Sequence, residues 1–437
     1  MSFEWKTTTL GEICKSQGGA IQTGPFGSQL HTSDYKEFGV PVVMPTNIGD
    51  GGIVVDGIVR IDQADVERLS QHKLQLGDIV FSRRGDVTKN ALIRPHEIGW
   101  FCGTGCLKVR LGDESKATAK FISHCLRMPD IKNWLIRHAV GATMPNLNTG
   151  ILSAVPIHLP PLKTQFEIAS MLGALDDRIS LLRETNTTLE AIAQALFKSW
   201  FVDFDPVRAK QQGITPQGMD TTTAALFPDS FEESELGEVP KGWRVLPVGD
   251  AVEAVGGATP DTKNPVYWES GTFCWTTPKD LSGIAAPVLL DTERKLSAQG
   301  IAKIGSGLLP IGTLLLSSRA PIGYLALAQV PLAINQGYIA MLPGGLLPPL
   351  YMLFWCQQNM DVIKGRANGS TFMEISKKAF RPIPALVPPS EVVKQFMEVA
   401  SALFEKLIEN EKQAQTLATL RDTLLPRLIS GQLRLPV

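Results

Sequence analysis

The chain lacks the short signatures of most catalysts. There is no Gly-x4-Gly-Lys-Ser/Thr phosphate loop and no His-Glu-x-x-His zinc helix among its 437 residues. No apolar run reaches the roughly 18 residues of a membrane span. Met1-Ser2-Phe3-Glu4-Trp5-Lys6 has none of the features of a secretion signal, so a cytoplasmic protein without a membrane partner is expected. Cysteine is scarce: six residues, of which Cys102 and Cys106 stand close, with His124-Cys125 following. That spacing leaves a zinc site open, but buried free thiols are the ordinary reading, and no metal is assigned. Net charge is also small, −1 overall. A mild basic excess in the globular segments, +2 over 1–158 and +3 over 238–389, permits a nucleic-acid partner without demanding one.

What the chain does have is a repeated heptad. Apolar residues recur at alternating steps of four and three at Ile168, Leu172, Leu175, Ile179, Leu182, then Asn186, Leu189, Ala193, Leu196 and Trp200. A 3.5-residue period keeps one seam facing a partner helix. Phe396, Ala400, Leu403, Leu407, Asn410, Ala414, Leu417, Arg421, Leu424 and Leu428 repeat those steps, each 228 residues later. Pro160-Pro161 and Pro388-Pro389 keep the same offset. If the two helices pair antiparallel and centred, Asn186 faces Asn410, a buried polar pair that fixes alignment. Leu175, Leu182, Leu189, Leu403, Leu417 and Leu424 then line the seam.

The globular segments repeat too. Leu76 to Arg84 matches Ile311 to Arg319, so Arg319 stands where Arg84 stands. Gly141 to Leu147 matches Gly369 to Ile375, and Trp5 to Glu12 matches Trp243 to Asp250. Five segments are expected: an α/β domain over 1–158, a helix over 159–203, a polar linker over 204–237 with room for one short helix at Thr221 to Leu226, a second α/β domain over 238–389, and a helix with a short tail over 390–437. Net charge is +2, −6 and 0 in the first domain, in 159–237 and in the last segment, and +3 in the second domain. Basic charge sits in the globular pieces. Phe121 to His138 has helical spacing, the first long helix is expected from about Thr164 to Phe201, and the second from about Glu391 to Ile429.

Four motifs carry a resemblance. They are Gly256-Gly257-Ala258-Thr259-Pro260 with Tyr267-Trp268 and Trp275 to Leu281; the Pro-Pro-x-x-x-Gln-Phe opening of the first long helix, repeated with two extra residues in the second; Ala193 to Phe201; and Leu424 to Gly431. In order within a 228-residue duplication, they make the chain similar to the specificity subunit of type I restriction-modification systems. The resemblance implies an α/β (α+β) fold with two target-recognition domains separated by an antiparallel two-helix coiled coil, a pseudo-two-fold repeat. It implies recognition of a bipartite double-stranded DNA target and assembly with two methyltransferase subunits and with restriction-translocase subunits. S-adenosylmethionine, ATP and magnesium are expected on those partners and no cofactor on this chain, which would itself catalyse nothing. A helix of some 37 residues, about 55 Å long, would span roughly one and a half turns of duplex and set the unread gap.

Candidate DNA contacts are Arg83 and Arg84 at a strand end, Arg319 at the matching place, Lys89, Lys279, Arg366, Lys377 and Lys378 for phosphates, and the Asn335 and Gln336 amides for adenine. Phe26 and Met144 sit on glycine loops and could touch DNA or anchor those loops. Arg84 could instead pair with Asp86, and Asn335-Gln336-Gly337 could be a structural turn. Phe197, Trp200 and Phe201 exceed what a two-helix seam buries. The excess suggests a partner surface, which the resemblance assigns to the methyltransferase subunit, or packing on the adjacent domain. Asn264-Pro265-Val266-Tyr267 and Glu293-Arg294-Lys295 superficially match methyltransferase and nuclease signatures and are read as loop residues.

Overall fold

A computed structural model describes residues 5–141, 143–369 and 373–435. Ala142 and Ser370 to Phe372, part of the matched glycine loops, lie outside them. The chain forms two compact units, Met1–Ile179 with Thr416–Val437, and Ser180–Gln415.

The first unit is built on a five-stranded sheet ordered Gly18–Thr23, Cys106–Gly112, Ile79–Ser82, Asn90–Leu92, Asp50–Gly51. All neighbours are antiparallel except the last pair. A three-stranded sheet, Arg60–Ile61, Val40–Val43, Phe101–Cys102, and a pair, Lys6–Thr9 with Pro156–Leu159, complete it. Side chains alternate across a strand. Ile79 and Phe81 therefore enter a core shared with the helices, while Val80 enters a second core with Val43, Cys102 and Cys106. Both faces are covered, which is why Ile79-Val80-Phe81 is continuously apolar. The 121–138 run divides into Ala119–Leu126 and Pro129–His138. Proline has no N–H to continue a helix but fits its first turn, so Pro129 restarts it.

The second unit repeats this plan strand for strand. Its five-stranded order is Ala254–Val255, Tyr338–Met341, Leu314–Ser317, Leu325–Ala328, Val288–Leu289. The one parallel pair is again the last. Arg294–Leu296, Phe273–Thr276 and Leu332–Ile334 form the three-stranded sheet, and Arg244–Pro247 pairs with Pro384–Val387. Leu314 and Leu316 face one core and Leu315 the other.

Two 40-residue helices, Leu162–Phe201 and Ser390–Ile429, contribute to both units. In the first unit Ile168 and Leu172 share a core with Leu425, Leu428 and Ile429. In the second unit Asn186 meets Asn410, and Phe197 meets Phe396. Rising numbers on one helix meet falling numbers on the other, so the pairing is antiparallel.

The polar 204–237 segment has the short helix expected near Thr221 and further structure besides. It holds helices Asp205–Gln211 and Thr221–Ala225, and Phe231–Ser234 pairs with Gly237–Pro240. Phe204 adopts φ 56°, which turns the chain, and Pro206 sits in the first turn of the next helix, where its missing N–H leaves no bond unmade. Val207 and Phe227 are buried in the second unit's core. A few well-placed apolar residues fold a stretch whose average composition is that of a linker.

Candidate nucleic-acid interface

In the first unit, Ile79–Ser82 and Asn90–Leu92 form a hairpin whose tip carries Arg83, Arg84 and Lys89. A second loop is laced to it. Leu147 N donates to Arg83 O at 2.9 Å, Asn146 bridges to Arg84, and Val140 bridges to Asn146. Arg83 is half-buried and its Nε donates to Asn146 Oδ1 at 3.4 Å. Arg84 and Lys89 are exposed. Asp86 does not hold Arg84: its Oδ1 accepts from Thr88 N at 3.1 Å and from Thr88 Oγ1 at 2.6 Å, an Asx turn. Gly85, at φ +78°, supplies the left-handed step beside it. Among the described residues no ion pair ties Arg84.

The second unit reproduces the lacing. Ile375 N donates to Ser318 O at 3.0 Å, Glu374 bridges to Arg319, and Asn368 bridges to Glu374. The chemistry differs. Where the first unit has Asn146, the second has Glu374, whose Oε2 lies 3.7 Å from Arg319 Nη1. Ser317 Oγ donates to Pro321 O at 2.8 Å and accepts from Gly323 N and Tyr324 N at 3.0 and 2.7 Å, fixing the tip.

A separate group forms beside the three-stranded sheet. Asn335 Oδ1 accepts from Gly337 N at 2.8 Å, so Asn335 is used in the turn. Gln336 Oε1 accepts from Thr259 Oγ1 at 2.6 Å. A Cβ on Gly337 would meet Pro278 at 2.9 Å, so this turn lies against the Pro278–Leu281 segment that carries Lys279. Lys279 reaches Glu293 at 3.8 Å, but with both side chains over three-quarters exposed the pair is screened and weak. Arg366, Lys377 and Lys378 are exposed. Phe26 and Met144 are 57% and 61% exposed. The other motifs are structural: Asn264 Oδ1 accepts from Val266 N, Arg294 stacks 3.6 Å above Trp268, and Lys295 pairs with Asp291. Cys102 and Cys106 are buried, and burial pushes the Cys102 thiol up to about 12. No group of three or more metal-ligating side chains is found among the described residues.

Two copies of one frame, each presenting a laced arginine hairpin, agree with what known proteins show. The family model for the type I restriction modification DNA specificity domain matches residues 3–191 and again 240–419. The chain belongs to the type I restriction-modification DNA specificity family. The chain is 27% identical over 340 residues to the type I restriction enzyme HindI specificity subunit of Haemophilus influenzae, covering 68% of this chain and 73% of that one. It is 21% identical over 440 residues to the putative MjaX specificity subunit of Methanocaldococcus jannaschii, covering 99% and 94%. The crystal structure of the type I S subunit from M. genitalium shares the fold, with TM-score 0.55 and 16% identity over 97% and 96% of the two chains.

The aromatic cluster of this specificity-family chain takes the second of its two expected roles, packing within the chain. Phe197, Trp200 and Phe201 are buried within the chain and are not free for a partner. Phe197 contacts Tyr351 and Phe396 with ring centroids 4.9 and 5.7 Å apart; Trp200 contacts Phe227 at 5.2 Å, and Phe201 contacts Trp243 at 5.9 Å. The helix Pro349–Gln358, apolar from Pro349 through Cys356, and the 204–240 segment cover the faces that a two-helix seam leaves open.

Along the seam, Asn410 Nδ2 donates to Asn186 Oδ1 at 2.9 Å, and Asn186 Nδ2 donates to Leu407 O at 3.1 Å. Leu182 is buried, whereas Leu175, Leu189, Leu403, Leu417 and Leu424 are half-buried. Two features have no short-range sequence signal. Gln165, fully buried, accepts from Thr118 N at 3.1 Å and donates to Lys116 O and Pro160 O at 2.9 Å, pinning the first long helix to its domain. Asp176 accepts from Arg127 Nη2 at 2.6 Å and from Arg421 Nη1 at 2.7 Å. Burial pushes the Asp176 carboxyl up, but the two guanidiniums outweigh it and hold it below the usual carboxylate range. Burial, then the Arg127 charge, pushes His124 beside them down to about 4.

Proposed function

We propose that this chain is the DNA-reading subunit of a type I restriction-modification assembly and carries no catalytic step itself. The observation that supports this best is the double occurrence of the specificity domain with one strand order and two different loop chemistries. Each domain reads one half of a bipartite duplex target. In the first, Arg83, Arg84 and Lys89 enter or flank a groove; in the second, Arg319, Lys279, Gln336, Arg366, Lys377 and Lys378 do so. A guanidinium takes guanine O6 and N7 as a fork, while lysines and remaining arginines hold phosphate. Glu374 beside Arg319 orients that guanidinium and disfavours a closely placed phosphate, so the halves read different bases. The helix pair sets the unread gap. Two methyltransferase subunits bring S-adenosylmethionine, and restriction-translocase subunits bring ATP and magnesium; the assembly acts in the cytoplasm.

The test is a domain exchange. Residues 1–158 are replaced by those of another family member, and the duplexes bound by the assembled methyltransferase are selected from a random pool. One half-site changes and the other stays. A change in both, or binding indifferent to sequence, refutes the reading.

A further inference from the structure

The second unit contains a cleft of about 420 Å³ walled by both long helices and by the 280–293 stretch of the recognition domain. Glu411 lines it. That residue is 8% exposed, its Oε2 is sealed from solvent, and among the described residues no donor or cation reaches it. Buried carboxylates in native proteins are paired, because desolvation without a partner is costly. Glu411 therefore offers the cleft an acceptor that no described group fills.

The wall selects what fills it. Asp280, Asp291 and Glu293 add negative charge around the cleft, each already engaged: Asp280 accepts from Thr277 N at 2.7 Å, Asp291 pairs with Lys295, and Glu293 faces Lys279. The field favours a cation, and Glu411 alone has an unsatisfied oxygen. A bare divalent ion needs several oxygen ligands, which one free carboxylate does not supply. An organic cation fits better: Ile284 and Val288 offer an apolar wall to its methylene stem, with the carboxylate at its head. The volume falls in the roughly 300–1,000 Å³ range of ligand clefts.

We propose that the Glu411 cleft receives a guanidinium or ammonium group, and that the group is a basic side chain of a protein partner. Charge supports that source. Asp280, Asp291, Glu293 and Glu411 line the cleft against Arg183, a balance that repels a phosphate backbone and attracts a basic surface. The source rests on the assembly proposed above, whereas the cation site does not. Among the described residues that line the cleft, Arg183, exposed on the same wall, is the cation that could compete.

Agmatine, a guanidinium on a four-carbon stem that ends in an ammonium, is titrated calorimetrically into the full-length chain, with n-butylurea as neutral control. One equivalent of agmatine binds and the urea does not. Glu411→Gln, which keeps shape and removes charge, weakens agmatine at least tenfold while melting at or above the wild-type temperature. Arg183→Ala binds at least as tightly as wild type. No binding by wild type, equal binding by Glu411→Gln, or binding by Arg183→Ala alone overturns the site. Assembly with the system's methyltransferase subunit abolishes agmatine binding; undiminished binding in that complex overturns the partner source. Agmatine binding needs no DNA, so failure of the DNA-reading proposal leaves this result unaffected.

Discussion

Asp176→Ala is expected to destabilise the first unit severely, and the geometry sets the size. Arg127 and Arg421 are 5% and 13% exposed at the side chain, and both close on this one carboxylate. Its removal strands the buried Arg127 guanidinium, next to a His124 that is neutral at pH 7, and leaves Arg421 with only the exposed Asp422 at 2.8 Å. Breaking a buried ion pair from one side costs about 3–5 kcal/mol. With a urea slope of about 2–3 kcal/mol/M, the unfolding midpoint falls by about 1–2 M. The chain carries its own comparison. The seam-equivalent residues of Asp176 and Arg421, 228 positions away, are Phe404 and Ala193, both buried in an apolar core. The pair is thus one of two solutions to the same packing problem. Replacing Arg127, Asp176 and Arg421 together with apolar residues of suitable volume therefore costs far less than Asp176→Ala. Urea unfolding followed by circular dichroism measures both. A loss below about 1 kcal/mol for Asp176→Ala, the level of an exposed pair, would refute the reasoning.

The same cluster makes stability fall in acid. The folded His124 value lies below the unfolded value of 6.5, so the unfolded chain binds more protons between pH 6.5 and about 4 and stability drops as pH falls through that window, by up to about 3 kcal/mol. Asp176, also depressed, adds its loss lower still, as pH passes below about 3.8 toward its folded value; thermal melts from pH 7 to 3 follow both, and a flat profile contradicts them. Asn410→Leu leaves the Asn186 amide oxygen without its donor and costs about 1–3 kcal/mol, whereas the double leucine variant regains most of it, as double-mutant unfolding measures. Phe197→Ala, at the centre of the aromatic cluster, costs about 3–5 kcal/mol in the second unit, read from its urea transition. Arg84→Ala weakens the assembled enzyme for one half-site by about 1–3 kcal/mol, measured by competition with duplexes altered in either half; unchanged affinity removes Arg84 from the interface.

The long helices were legible because a 3.5-residue period sustained over ten positions has few alternative readings. Their bounds, Leu162–Phe201 and Ser390–Ile429, lie within two residues of the sequence expectation. The Ile79–Ser82 strand was legible as a short apolar run after a Gly-Asp turn. What was not legible shares a cause. For Phe197 and its neighbours, a partner surface and the adjacent domain stayed equally open, because their cover, Tyr351 and Phe354, lies some 150 residues distant. Residues 204–237 looked like a linker because composition averages out Val207 and Phe227. At the candidate interface, the arginines were visible at strand ends. Their partners Asn146 and Glu374 were not, since pairing across 63 and 55 residues leaves no periodic trace.

The two units hold their helices with unlike joints, one ionic around Asp176 and one aromatic around Phe197. Apolar contacts weaken on cooling, because their strength near room temperature is entropic. The desolvation that opposes a buried ion pair lessens on heating. Cold should therefore loosen the Phe197 joint first. Hydrogen exchange at low temperature would report that difference as earlier opening of amides near Phe197 than near Asp176.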